Sequence, residues 1–166
     1  MLRLPRIPAL LAVLALLRVL GVRRELVPAL LEADHQLTLV SRRLARGYEA
    51  ERADGRLKWL QLDPAKTVSW QNPELMEAVS TSDAVVNLAG EPIAEKRWTT
   101  AHLKLLEDSR LDTTRLLVDA LAASKSPPSV LINASAIGFF GTSATSKVVE
   151  SSPVGADFLA ALCPRW

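Results

Sequence analysis

Cysteine is almost absent from this chain. The single Cys163 excludes an internal disulfide; it fits a reducing compartment without requiring one. Histidine is nearly as scarce. His35 and His102 lie far apart, with no Cys or acid at metal-ligand spacing, so no metal site is expected. Neither a G-x-S-x-G elbow nor a Walker loop occurs. Neither sign of charge dominates: the formal net charge is +2, which gives no reason to expect nucleic acid as a partner. Glycine is sparse as well. Across residues 16–43 the only one is Gly21, so no glycine-rich loop precedes the helix that the pattern there predicts. Internal repeats and low-complexity tracts are also missing.

What is present is globular. Hydrophobic residues make up 49% and charged residues 23% of 166, enough for one domain with a core. The start is unusual. Arg3, Arg6, Arg18, Arg23 and Arg24 all precede the first acid, Glu25. The run IPALLAVLALL (7–17) has the outline of a secretory signal but lacks a small-x-small cleavage site. It is shorter than the roughly 20 apolar residues of a membrane span, so a membrane is not expected as a partner. An organelle transit peptide, or a buried helix or strand, remains open. A cytoplasmic location is the default, with an organelle stroma or matrix as the alternative.

Helical spacing of Leu26, Val27, Leu30 and Leu31 predicts a helix over 23–33, with Pro28 awkward beyond the first turn. QLTLVS (36–41) reads as a strand, 45–56 as a polar loop and LKWLQL (57–62) as a strand. NPELMEAVS (72–80) predicts a short helix capped by Asn72, and DAVVNLAG (83–90) a strand entering a turn. A long helix follows, capped by Thr99 or Thr100, with Leu103, Leu106, Leu117, Ala120 and Leu121 inward and Pro127-Pro128 as its stop. SVLINASA (129–136) reads as a strand, the next stretch as a loop and DFLAALCPRW as the start of a helix. Strands alternating with helices predict an α/β fold with a doubly wound parallel sheet in three layers.

In such sheets ligands bind at the carboxyl ends of the strands. The polar residues there are the candidates. An arginine after the second strand, Arg42 beside Ser41 and Arg43, suits the 2′-phosphate of NADP, because guanidinium is planar, permanently charged and can grip phosphate bidentately. A solvated basic turn would read the same way. The small residues of Asn87-Leu-Ala-Gly90 would let a cofactor approach the backbone, with the glycine permitting the turn; an ordinary strand-to-loop turn is the plain alternative. Ser135, after the fifth strand, could donate to a substrate carbonyl. Trp59, Trp70, Trp98 and Trp166 read as packing residues.

Together, HQLTLVSRR, DAVVNLAGEPIAEKRWT, DSRLDTTRLLVDAL, INASAIGFFG and ESSPVGADFLAALCPRW are more specific. In this order they resemble one group of extended short-chain dehydrogenase/reductases. These are epimerase-family proteins, similar to nucleoside-diphosphate-sugar epimerases, that include cell-division-inhibitor-like and chloroplast-division homologues. The resemblance runs from about Arg24 to Trp166. It implies a Rossmann-like domain that binds NADP(H), a small-molecule substrate and oxidoreductase or epimerase chemistry. It places Arg42 at the 2′-phosphate with Ser41 beside it, and Asp63 near the adenine. Asn87, Ala89 and Gly90 fall beside the cofactor, and Ser135 at the active site. Arg110 falls near a helix position where related reductases keep an asparagine.

Three departures from the family pattern stand out. Leu17, Leu20 and Arg23 fall near the positions of the family's Gly-x-x-Gly-x-x-Gly loop, with Gly21 off register. Bulky side chains there would fill the space of the pyrophosphate. Residues 1–22 thus read as an atypical segment joined to a partial Rossmann-like domain over 23–166, its sheet missing the first strand. The chain also stops at Trp166, before the sixth strand and substrate region that family members carry. Finally, short-chain reductases use a Tyr-x-x-x-Lys pair for proton transfer. Here the only tyrosine is Tyr48, in an early loop, so no catalytic tyrosine is recognisable. The expectation is a fragment that binds NADP(H) weakly at best, with a non-catalytic regulator of cell or organelle division as the alternative. Unpaired sheet edges would favour a homodimer.

Overall fold

The computed structural model describes residues 9–13, 22–43, 48–142 and 147–166. Residues 1–133 form one compact unit and residues 134–166 a second.

The first unit runs β1 (Ala9–Val13), α1 (Val22–Glu32), β2 (Gln36–Ser41), α2 (Glu49–Ala53), β3 (Leu57–Gln61), α3 (Pro73–Thr81), β4 (Ala84–Asn87), α4 (Thr100–Ala123) and β5 (Val130–Asn133). All five strands are parallel, in the order β3-β2-β1-β4-β5. This is the doubly wound order of dinucleotide-binding sheets.

The sheet therefore has its first strand, contrary to expectation. β1 lies at its centre, with Leu10 in register with Leu37 on one side and Ala84 on the other. The apolar run around it misleads because a central parallel strand, covered on both faces, has no polar alternation. The same run also fits a buried helix or a signal. The start of β1 is fixed twice by Asp83: Ala9 N–H donates to its Oδ2 at 2.9 Å, and the Asp83 N–H donates to Ala9 O at 2.9 Å.

Alternation along the strands sends side chains to two cores. Leu37, Leu39, Leu57, Trp59, Ala84 and Val86 meet Val27 and Leu31 of α1 on one face. Val40, Leu60 and Val85 meet Leu75, Ala78 and Val79 of α3 and Leu116, Leu117 and Ala120 of α4 on the other. The inward stripe of α4 is wider than expected. His102, Ser109, Thr113 and Leu116 join Leu106, Leu117 and Ala120 in being buried.

The local signals act where they were read. Asn72 Oδ1 accepts from Leu75 N at 3.0 Å, with Pro73 in the first turn of α3. Thr99, not Thr100, caps α4 by accepting from His102 N at 3.2 Å. α4 ends at Ala123, before the two prolines. Pro28 lies inside α1 beyond its first turn, yet the helix continues to Glu32. The chain then turns through Asp34 at φ 64, a left-handed conformation that Asp tolerates better than most residues.

Two readings are corrected. The polar stretch 45–56 is not all loop, for α2 forms over Glu49–Ala53 without burying a residue; Glu, Ala and Arg carry it by propensity, which an apolar pattern cannot reveal. Trp98 is 48% exposed and not a core residue. Trp59 and Trp70 are buried.

The second unit holds a 3₁₀ turn (Ile137–Phe140) and α5 (Phe158–Arg165). Asp157 caps α5, its Oδ1 accepting from Ala160 N at 2.9 Å. Gly141, at φ 73, and Gly155 bring two chain segments into contact; a Cβ on Gly155 would lie 2.6 Å from Gly141 Cα. Among the described residues no helix is long and apolar enough to cross a membrane.

Candidate functional site at the carboxyl ends of the strands

β2, β3 and β4 end on the same side of the sheet, so parallel pairing brings their terminal residues together. Arg42 follows β2 and Asp63 follows β3. Both line one cleft with Ala65, Lys66 and the α4 residues Leu105, Asp108, Ser109, Asp112 and Thr113. Asp63 Oδ1 accepts from Ala65 N at 3.1 Å, which fixes the turn beneath it.

Ser41 is buried and fully engaged. Its hydroxyl donates to Arg43 O at 2.7 Å and accepts from Trp59 Nε1 at 2.8 Å. It ties β2 to the core beneath Arg42.

Asn87 is the hub at the end of β4. It is completely buried. Its Nδ2 donates to Thr114 Oγ1 at 3.0 Å and to Asn133 Oδ1 at 2.7 Å, and its Oδ1 accepts from Ala89 N at 3.1 Å. An amide is suited to this post, since it satisfies donors and acceptors at once. Ala89 is also buried.

Gly90 leaves room for a side chain rather than permitting the expected turn, because its φ is not among the positive ones. A Cβ there would lie 3.0 Å from Arg110 Cζ. Arg110 donates through Nη1 to Leu106 O at 2.9 Å and through Nη2 to Glu91 O at 3.1 Å. It clamps the β4 turn to α4.

Glu91 is the site residue that the sequence reading missed. Its Oε2 accepts from Arg42 Nη2 at 2.6 Å and its Oε1 from Lys96 Nζ at 3.1 Å. Its backbone N–H donates to Ser109 Oγ at 2.9 Å. Burial works to raise the Glu91 carboxyl, but the hydrogen bonds and charges of Arg42 and Lys96 outweigh it and hold the group below the usual glutamate range. The only signal was an acid directly after the Asn-x-Ala-Gly turn. Its partner lies 49 positions away.

The lining offers hydrogen-bond donors to a phosphate in Arg42 and Lys66 and acceptors to the edge of a base in its acids. A guanidinium and an ammonium line the cleft with three carboxylates, those of Asp63, Asp108 and Asp112. The buried Thr113 Oγ1 has no hydrogen-bond partner among the described residues. Leu17 and Leu20, aligned with the glycine loop, lie outside the described residues. Ser135 lies in the second unit, directly after β5, and is exposed. Among the described residues no group of three or more His, Cys, Asp or Glu side chains could hold a metal ion.

The strand order and the polar residues at the strand ends define a Rossmann-like dinucleotide-binding fold of the short-chain dehydrogenase/reductase superfamily. Residues 22–157 match the NAD dependent epimerase/dehydratase family, and the chain belongs to it. It is 34% identical to the chloroplastic epimerase family protein SDR39U1 homolog of Arabidopsis thaliana, over 88% of this chain and 48% of that protein. It is 31% identical to the human epimerase family protein SDR39U1, over 80% of this chain and 39% of that one. The crystal structure of human SDR39U1 (isoform 2) with NADPH superposes with a TM-score of 0.68 at 27% identity, covering 95% of this chain and 47% of that chain. A nucleoside-diphosphate sugar epimerase from Corynebacterium glutamicum superposes at 0.65 with 28% identity, covering 96% and 29%. The chain thus spans about half the length of the curated relatives it matches.

Proposed function

We propose that this chain is an NADP(H)-binding, epimerase- or oxidoreductase-like protein in which Arg42 takes the 2′-phosphate and Asp63 stands near the adenine. The observation that carries this reading is the cleft itself: Arg42 and Asp63, from successive strand ends, line it together with Lys66 and Thr113. The relative solved with NADPH supports the choice of cofactor. Asn87, Ala89 and Gly90 shape the neighbouring backbone, and Arg110 acts through that backbone rather than through the ligand. NADP(H), when bound, supplies hydride transfer. Ser135 is the candidate donor to a substrate carbonyl.

Calorimetric titration of the 166-residue chain with NADPH and NADH tests the reading. NADPH is expected to bind weakly but more tightly than NADH, and Arg42→Met to remove the difference. Equal affinities, or no binding, would overturn it.

A second reading is a binding module without turnover that acts in cell or organelle division, with the Rossmann-like sheet as its scaffold. Tyr48, the only tyrosine of these 166 residues, packs against Trp59 with ring centroids 6.2 Å apart. That half-buried ring packs against the core on the α1 face of the sheet. Co-purification with a division protein, with no NADPH oxidation, is expected on this reading; NADPH turnover excludes it.

A further inference from the structure

Arg42 is not a cation waiting in an empty cleft. Its Nη2 is bonded to Glu91 Oε2 at 2.6 Å, and the Glu91 side chain is only 8% exposed. The other carboxylate oxygen takes Lys96, which is 59% exposed. Ser109 Oγ and Arg110 Nη2 fix the backbone of Glu91 on both sides. The carboxylate is thus anchored, and both cations reach it from more exposed positions.

A phosphate that arrives at Arg42 meets a guanidinium that already shares a carboxylate with Lys96. It also meets a carboxylate that repels it. A bidentate grip on the phosphate that uses Nη2 loosens the hold on Glu91, whose bond is to that nitrogen. A buried carboxylate abandoned by its only partner would be strongly unfavourable. Glu91 has a second partner, and Lys96 can stay while Arg42 turns.

Resting on the cofactor reading above, we propose that Glu91 is a built-in competitor for Arg42. It holds the guanidinium until a phosphate displaces it, and so sets how strongly the cleft prefers a 2′-phosphorylated adenosine to a plain one. Lys96 permits the exchange by keeping the buried carboxylate paired. Glu91 is a selectivity residue that acts through Arg42 and need not touch the ligand.

The test uses two probes, adenosine 2′,5′-bisphosphate and adenosine 5′-monophosphate, titrated calorimetrically into the 166-residue chain at neutral pH and low salt. Glu91→Gln keeps an acceptor oxygen for Arg42 but removes the competing charge. It should tighten the bisphosphate about three- to tenfold, the range between losing an exposed and a charge-assisted pair, and leave the monophosphate within about twofold. A purely structural glutamate would weaken both probes together. Lys96→Met changes an exposed side chain and settles the matter should Glu91→Gln not fold. It should weaken the bisphosphate about threefold more than the monophosphate. If the unaltered chain prefers the bisphosphate but Glu91→Gln binds it no better, the competitor role fails and the cofactor reading stands. A loss in Lys96→Met that is equal for both probes, or no loss, overturns the role likewise. If no protein binds either probe, both readings fail.

Discussion

β4 and β5 lie side by side in register, with similar sequences, AVVN and VLIN. Their surroundings are opposite. Every residue of β4 is buried and every residue of β5 is exposed. β4 has a paired strand on each side, and both cores draw on it. β5 pairs with β4 alone and contributes to neither core. Apolar, β-branched composition explains why both segments extend. It does not decide burial, because strand preference is largely a statement about packing against neighbours.

The comparison is sharpest at Val85 and Leu131, which are paired across the two strands. Val85→Ala empties a site with no exposure and should cost about 2–3 kcal/mol. Leu131→Ala removes a larger group from a site that is 40% exposed and should cost less than about 1 kcal/mol. Urea unfolding of the two variants checks the order; equal costs would show that β5 is covered in solution. The next effect belongs to the asparagines that end the strands. Asn87→Ala strands the Ala89 N–H and should cost about 1–2 kcal/mol, whereas Asn133→Ala leaves Asn87 its bonds to Thr114 and Ala89 and should cost about half of that in the same assay. Gly90→Ala comes next. The added Cβ needs the flexible end of the Arg110 side chain to shift slightly, for less than about 1 kcal/mol, and Arg110→Ala in the same chain should relieve the contact.

The smallest effect is the response to acid. The Glu91 carboxyl is depressed in the folded protein, so its contribution is present above the ordinary glutamate range. It is lost as pH falls through that range to the lower folded value. Glu91→Gln should flatten the fall of the urea midpoint over that interval; an unchanged slope would mean that the ion pair with Arg42 adds nothing to stability.

β2, β3, β4, α3 and α4 could be read in advance because each carries a local signal: an apolar β-branched run, or a cap with a periodic stripe. β1 could not, since ALLAV is equally apolar in a helix, a signal or a central strand. Only its pairing with Leu37 and Ala84 distinguishes them, and pairing is not a local property. Much of the site followed the same division. Arg42, Asp63 and Asn87 were visible as polar residues at strand ends. The engagement of Ser41 with Trp59, the clamp of Arg110 on the β4 turn and the pairing of Glu91 with Arg42 all join residues distant in sequence. Gly90 was visible as part of the turn, but the close approach of the Arg110 guanidinium to it was not, for that contact comes from α4.

The central position of β1 has a consequence in time. The contact between Ala9 and Asp83 spans 74 positions. A ribosome adding about 5–20 residues per second needs roughly 4–15 s to cover that distance. Throughout that interval the nascent chain carries its central strand with at least one edge unpaired. Closing so long a loop also slows the pairing once both partners exist. The seconds before residue 84 emerges are therefore when the open edge of β1 is exposed to mispairing, and they come before any residue of the β4 turn has been made.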